Sequence, residues 1–145
     1  MALPELEETL TSRAEEVRRV LERVRQHLLG SPGFEDIADT AQIVLGEALN
    51  NIVEHAYDCD PSRPIYLSLR FCPDALECRI EDEGIAMPGG TPPKMEMPSV
   101  TVGQRDTLPE GGFGWAMIHA MTVGLSYRRE KDRNLLSFSI PVIAA

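Results

Sequence analysis

Apolar residues recur at spacings of three and four from Ala14 through Val17, Leu21, Val24 and Leu28, a single stripe that fades at Gly30-Ser31-Pro32-Gly33. Ser12-Arg13-Ala14-Glu15 has the S-x-x-E spacing of a capping box, so the helix is predicted to begin there. Before it, Leu6 to Thr11 fits either a short edge strand or an extra helical turn, and the strand is the reading adopted. A second helical pattern runs from about Glu35 to Tyr57 and stops at Asp58-Cys59-Asp60-Pro61. The period then falls to two. Ile65, Leu67, Leu69 and Phe71 alternate with Tyr66, Ser68 and Arg70, Pro73-Asp74 turns the chain, and Leu76, Cys78 and Ile80 alternate with Glu77, Arg79 and Glu81. This is the pattern of an antiparallel hairpin. From Gly84 to Gly112 periodicity vanishes under repeated prolines and glycines, and a loop that long within a compact domain reads as a lid rather than a spacer. A helix is predicted from about Gly114 to Met121. Val123, Leu125 and Tyr127 alternate next, Lys131-Asp132-Arg133-Asn134 turns, and Leu136, Phe138 and Ile140 complete a second hairpin.

The order strand, helix, helix, strand, strand, lid, helix, strand, strand predicts an α+β fold, a two-layer α/β sandwich. Its sheet is mixed, mostly antiparallel, and covered on one face by three helices. A chain of 145 residues fits one domain, 1–145, that buries about 70% of the surface its unfolded form exposes. Cys59, Cys72 and Cys78 are an odd number without paired CxxC spacing, so they read as reduced thiols. The first residues lack a basic segment followed by an apolar run, and no stretch is long enough to span a bilayer, so a cytoplasmic protein is expected. A net charge of -9 argues against direct nucleic-acid binding. Any influence on transcription would pass through protein partners.

Chemistry concentrates at three places. Glu47, Asn51 and His55 follow at i, i+4 spacing on an apolar helix, so an α-helix would set them on one face. A nucleotide with its Mg²⁺ would satisfy such a stripe, because an amide oxygen is a hard metal ligand and a carboxylate can take a proton from an attacking hydroxyl. A stripe facing solvent is the alternative. Asp82-Glu83-Gly84-Ile85-Ala86 follows the first hairpin, where a carboxylate would accept from an exocyclic amine and Gly84 would let a flat base approach the backbone. Gly111-Gly112-Phe113-Gly114-Trp115 lies at a loop-to-helix junction suited to phosphates. Taken singly, the first of these is commonly a turn and the second a linker or cap. Their order around a lid makes the pair far more specific.

With these residues the chain resembles the GHKL ATPases of the Bergerat fold, and within them the stand-alone anti-sigma-factor serine/threonine kinases. Glu47-Ala48-Leu49-Asn50-Asn51 through His55-Ala56-Tyr57 is similar to the N box, Asp82 to Ala86 to the G1 box, and Gly111 to Trp115 to the G2 box. The resemblance implies ATP and Mg²⁺ as cofactors and an ATP lid over about 84–112. It implies Glu47 as general base, Asn51 as the Mg²⁺ ligand, and Asp82 as acceptor for the adenine amine. His55, Gly84 and Ala86 would border the nucleotide, with Gly112, Phe113 and Gly114 as the phosphate-side hinge and Ser137 as a further adenine-side contact. The implied partners are a sigma factor, sequestered, and an anti-anti-sigma protein of the STAS type, phosphorylated, with a homodimer as the suggested assembly. Ala86 stands where the family usually has a second glycine, and Trp115 where it tends to have leucine. The first departure favours an alternative, a nucleotide-responsive protein-binding switch without productive kinase activity. A third reading is an interaction domain that binds no nucleotide.

Overall fold

The computed structural model describes residues 4–87 and 112–142, with side chains from 114 onward in the second stretch. The element order is β1 (Glu5–Thr11), α1 (Ala14–Leu29), a 3-10 turn (Glu35–Ile37), α2 (Ala38–Asn51), a π-helical segment (Ile52–Ala56), β2 (Pro64–Phe71), β3 (Ala75–Asp82), α3 (Gly112–Met121), β4 (Val123–Glu130) and β5 (Arg133–Pro141). The five strands form one sheet in the order β1-β2-β3-β5-β4, and each of the four pairings is antiparallel, so the sheet, expected to be mixed, has no parallel pair among the described residues. Leu6 and Leu10, Ile65 to Phe71, Leu76 to Ile80 and Leu136 to Ile140 bury every second side chain. This single buried face packs under the helices. Val17, Val20, Val24 and Leu28 of α1 meet Ala41, Val44, Leu45, Ala48 and Leu49 of α2 in the same core. Leu21, expected in the α1 stripe, sits at its margin while Val20 lies inside.

The start of α1 departs from the capping box. Arg13, with φ -127° and ψ 146°, is the residue that enters the helix, and no side chain caps it. Ser12 lies one position too early; it is buried, and its hydroxyl donates to the carbonyl of Asp60 at 2.6 Å. The serine thus ties β1 to the turn that ends the second helical run. That run is not one helix but three segments. After Asn51 the winding widens, with the Tyr57 amide donating to Ile52 O at 3.0 Å and the Cys59 amide to Val53 O at 2.8 Å. Asp58 and Cys59 then take left-handed φ values of 48° and 62°, which stops the helix where the sequence indicated. The last hairpin turn is also tighter than expected. Lys131 and Asp132 alone connect β4 to β5, with Lys131 at φ 54°, so Arg133 and Asn134 belong to the strand.

Candidate functional site

The C-terminal end of α2 carries the polar stripe. Glu47 and Asn51 are one turn apart and both half-buried, with Ala48, Leu49 and Ile52 beside them in the core. His55 follows in the π-helical segment, its side chain 69% exposed and 3.8 Å from Glu54. The first residues of α3 lie over Glu47. A Cβ on Gly114 would stand 2.6 Å from Glu47 Oε2, so only glycine lets the α3 backbone come this close to the carboxylate. Gly112 and Phe113 open the same helix, while the Phe113 side chain and residues 88–111, most of the expected lid, lie outside the described part. Trp115 is buried in the core.

The second cluster is built where β3 ends. Asp82 and Asn134 are paired across β3 and β5 on the helix-covered face, and each is only 4% exposed. Asp82 Oδ1 accepts from the Gly84 amide at 2.8 Å and from Asn134 Nδ2 at 2.8 Å. Oδ2 has no donor among the described residues, which leaves one oxygen for a ligand. Burial pushes the Asp82 carboxyl up, against the opposing pull of those two hydrogen bonds and of Arg129. Beyond it, the chain from Glu83 to Met87 is held from both sides. On the helix side, the Ile85 amide donates to Ala56 O at 2.8 Å and the Glu83 amide donates to the Tyr57 hydroxyl at 2.6 Å. Gly84 passes so near Ala56 that a Cβ would stand 2.4 Å from its carbonyl oxygen. On the strand side, Arg129 donates to Gly84 O at 2.6 Å, Asn134 to Ile85 O at 3.0 Å, and the Met87 amide to the Tyr127 hydroxyl at 2.9 Å. Ala86 is exposed and is not among the residues of positive φ, so its methyl group introduces no backbone strain.

Ser137 lies apart from this cluster. It pairs with Arg79 and Ser126 on the opposite face of the sheet, because it alternates with the inward Leu136 and Phe138. The residue facing Asp82 is Asn134. Sequence reading missed it by assigning it to the turn, although continuing the inward series Ile140, Phe138, Leu136 by two reaches it. Tyr127, Arg129 and Tyr57 carry no local signal of this role, since they reach Met87, Gly84 and Glu83 only across the fold.

The residues present suit a purine nucleotide and its metal. A buried carboxylate offers one oxygen at a wall whose backbone is already hydrogen-bonded, and a half-buried carboxylate and amide lie one helical turn apart. Among the described residues no group of three or more His, Cys, Asp or Glu is placed to hold a metal. A lone amide oxygen is the kind of site Mg²⁺ accepts when phosphates supply further ligands. No helix among the described residues is long and apolar enough to cross a membrane.

This two-layer fold with its three ordered boxes defines a GHKL-type nucleotide-binding domain. The chain matches the family described as Histidine kinase-like ATPase domain over residues 9–140, and it belongs to that family. It is 26% identical over 102 residues to a protein named Anti-sigma F factor from Clostridium perfringens, covering 70% of this chain and 69% of that protein. The same figures hold for a second strain of that organism. Among solved structures it resembles the RsbU and RsbW domains of a Mycobacterium tuberculosis protein, with TM-score 0.61 and 16% identity over 94% of this chain. The chain spans 32% of that longer one.

Proposed function

We propose that this chain is a cytoplasmic ATP-dependent protein serine/threonine kinase and anti-sigma factor, which sequesters a sigma factor and phosphorylates an anti-anti-sigma partner of the STAS type. The observation that carries the chemistry is Glu47, a carboxylate one turn before Asn51 and half-buried under Gly114 of α3. The anti-sigma role draws its support from the name of the Clostridium relative. Magnesium ATP, when bound, supplies the transferable phosphoryl group and the charge neutralisation that phosphoryl transfer chiefly needs. Asn51 offers its amide oxygen to the metal. Asp82 offers Oδ2 to the adenine amine, and the Glu83–Met87 backbone gives the base a wall fixed in advance. Glu47 takes the proton from the partner's hydroxyl, beside the start of α3.

Changing Glu47 to Gln keeps the size and hydrogen bonding of the side chain but removes the base. With labelled ATP and a cognate anti-anti-sigma protein, phosphorylation should fall on the order of a hundredfold or more. ATP affinity and sigma-factor capture should persist. Equal phosphorylation by wild type and Glu47→Gln would reject the assignment of the base. A wild type that binds ATP yet phosphorylates no cognate partner would move the reading to the nucleotide-responsive switch.

A further inference from the structure

Asn134 begins an otherwise apolar inward row on β5, and its surroundings determine which way its amide points. Around its Oδ1 stand groups with a proton to give: Arg129 Nη1 donates at 3.0 Å, and the Tyr127 hydroxyl donates while itself accepting from the Met87 amide. Arginine has no acceptor, so the atom it meets must be the amide oxygen. Around Nδ2 every neighbour is an acceptor: Asp82 Oδ1 at 2.8 Å, Ile85 O at 3.0 Å and Gly84 O at 3.4 Å. Both sides therefore impose the same orientation, and a flipped amide would set oxygen against oxygen on one side and nitrogen against nitrogen on the other. An amide that can only donate toward Asp82 makes Oδ1 an acceptor and favours the ionised carboxylate.

We propose that Asn134, oriented by Tyr127 and Arg129, is a positioning residue that keeps Asp82 a hydrogen-bond acceptor and so sets the preference for a purine with an amine at the six position. The inference rests on the nucleotide-binding reading above and adds the source of its base selectivity. Oδ2 meets an adenine amine as acceptor to donor. Against the six-position oxygen of hypoxanthine it meets a second acceptor, and a buried mismatch of that kind is poorly tolerated. Tyr127 and Arg129 enter this arrangement through the amide they orient, and Arg129 adds its charge beside Asp82.

Isothermal calorimetry with ATP and inosine triphosphate tests this. Wild type should bind ATP at least about tenfold more tightly than inosine triphosphate. Asn134→Asp, nearly isosteric, places a second carboxyl against Asp82 so that one shared proton makes Asp82 a donor part of the time. The affinity ratio should then drop by about fivefold or more, through tighter or unchanged inosine triphosphate binding beside weaker ATP binding. Tyr127→Phe keeps the ring packing but removes one donor to Asn134, and should lower the ratio by about twofold, which preserves the test if the first variant does not fold. A foldable Asn134→Asp that weakens both nucleotides equally, or a Tyr127→Phe ratio unchanged when the first variant does not fold, would overturn the proposal. Equal affinity of wild type for the two nucleotides would overturn it while leaving nucleotide binding intact. Failure of wild type to bind either one would overturn this inference together with the reading beneath it.

Discussion

Asp82 carries a conflict between binding and stability that can be measured at a single residue. Burial raises its carboxyl above the ordinary aspartate range, and Glu83 adds to this, while the hydrogen bonds from Asn134 and Gly84 and the charge of Arg129 oppose it. A raised value means that the folded chain holds this proton more tightly than the unfolded chain does. Stability from this group is therefore greatest below the unfolded value of about 3.9 and falls as pH rises through the window up to the folded value. Asp82→Asn should remove that slope. Its stability relative to wild type should grow from about pH 3 upward and level off once Asp82 is ionised, which denaturant unfolding at stepped pH will read. The same variant should lose nucleotide affinity. Opposite signs in the two measurements would mark Asp82 as a residue retained for its ligand. Cys78, by contrast, has its thiol pushed far up by burial, which suits a core residue and no chemistry.

At the scale of elements, two glycines separate structural contact from chemical contact. A Cβ at Gly84 would stand 2.4 Å from the backbone oxygen of Ala56, an atom fixed by the π segment and already accepting from Ile85. Gly84→Ala should thus cost about 1–3 kcal/mol in chemical denaturation, because the segment after β3 and the π-helical segment must separate to admit the methyl group. A Cβ at Gly114 would meet Glu47 Oε2 at 2.6 Å, which is the free end of a flexible side chain. Gly114→Ala should leave stability within about 1 kcal/mol of wild type, since alanine also favours the helix. It should lower phosphoryl transfer by about tenfold or more by displacing the carboxylate. The π segment belongs to the same scale. Ala56 O meets Ile85 and Tyr57 meets Glu83, joining the end of this segment to the chain just after β3.

For the whole molecule, the wall of the candidate site is hydrogen-bonded before any ligand arrives, so binding should stabilise the fold by mass action with little reorganisation. At a hundred times its dissociation constant a nucleotide contributes about 2.7 kcal/mol, which for a chain of this size is a rise in Tm on the order of 5–10 °C. Differential scanning fluorimetry with ATP and Mg²⁺ checks it. Asn51→Ala should keep only the part of the rise that ATP gives without the metal. No rise in wild type at any nucleotide concentration would favour a domain that binds none.

The sequence by itself determined what depends on neighbours along the chain. The period of two in Ile65 to Phe71 and Leu76 to Ile80 specified a hairpin, the spacing of α1 specified its buried side, and the order of the three boxes specified the class of protein. Local rules reach that far because side-chain direction follows backbone period. They failed where a distant atom competed for the same group. Ser12 had the spacing to cap a helix but went to Asp60 O, and the run from Glu35 to Tyr57 had one apolar pattern but three windings. Ser137, expected on the adenine side, lies by strand alternation on the other face from Asp82, and Asn134, expected in a turn, pairs with Asp82 within the sheet. Only tertiary structure settled these, because a buried polar group takes whichever partner the packed chain brings within reach, whatever its separation in sequence.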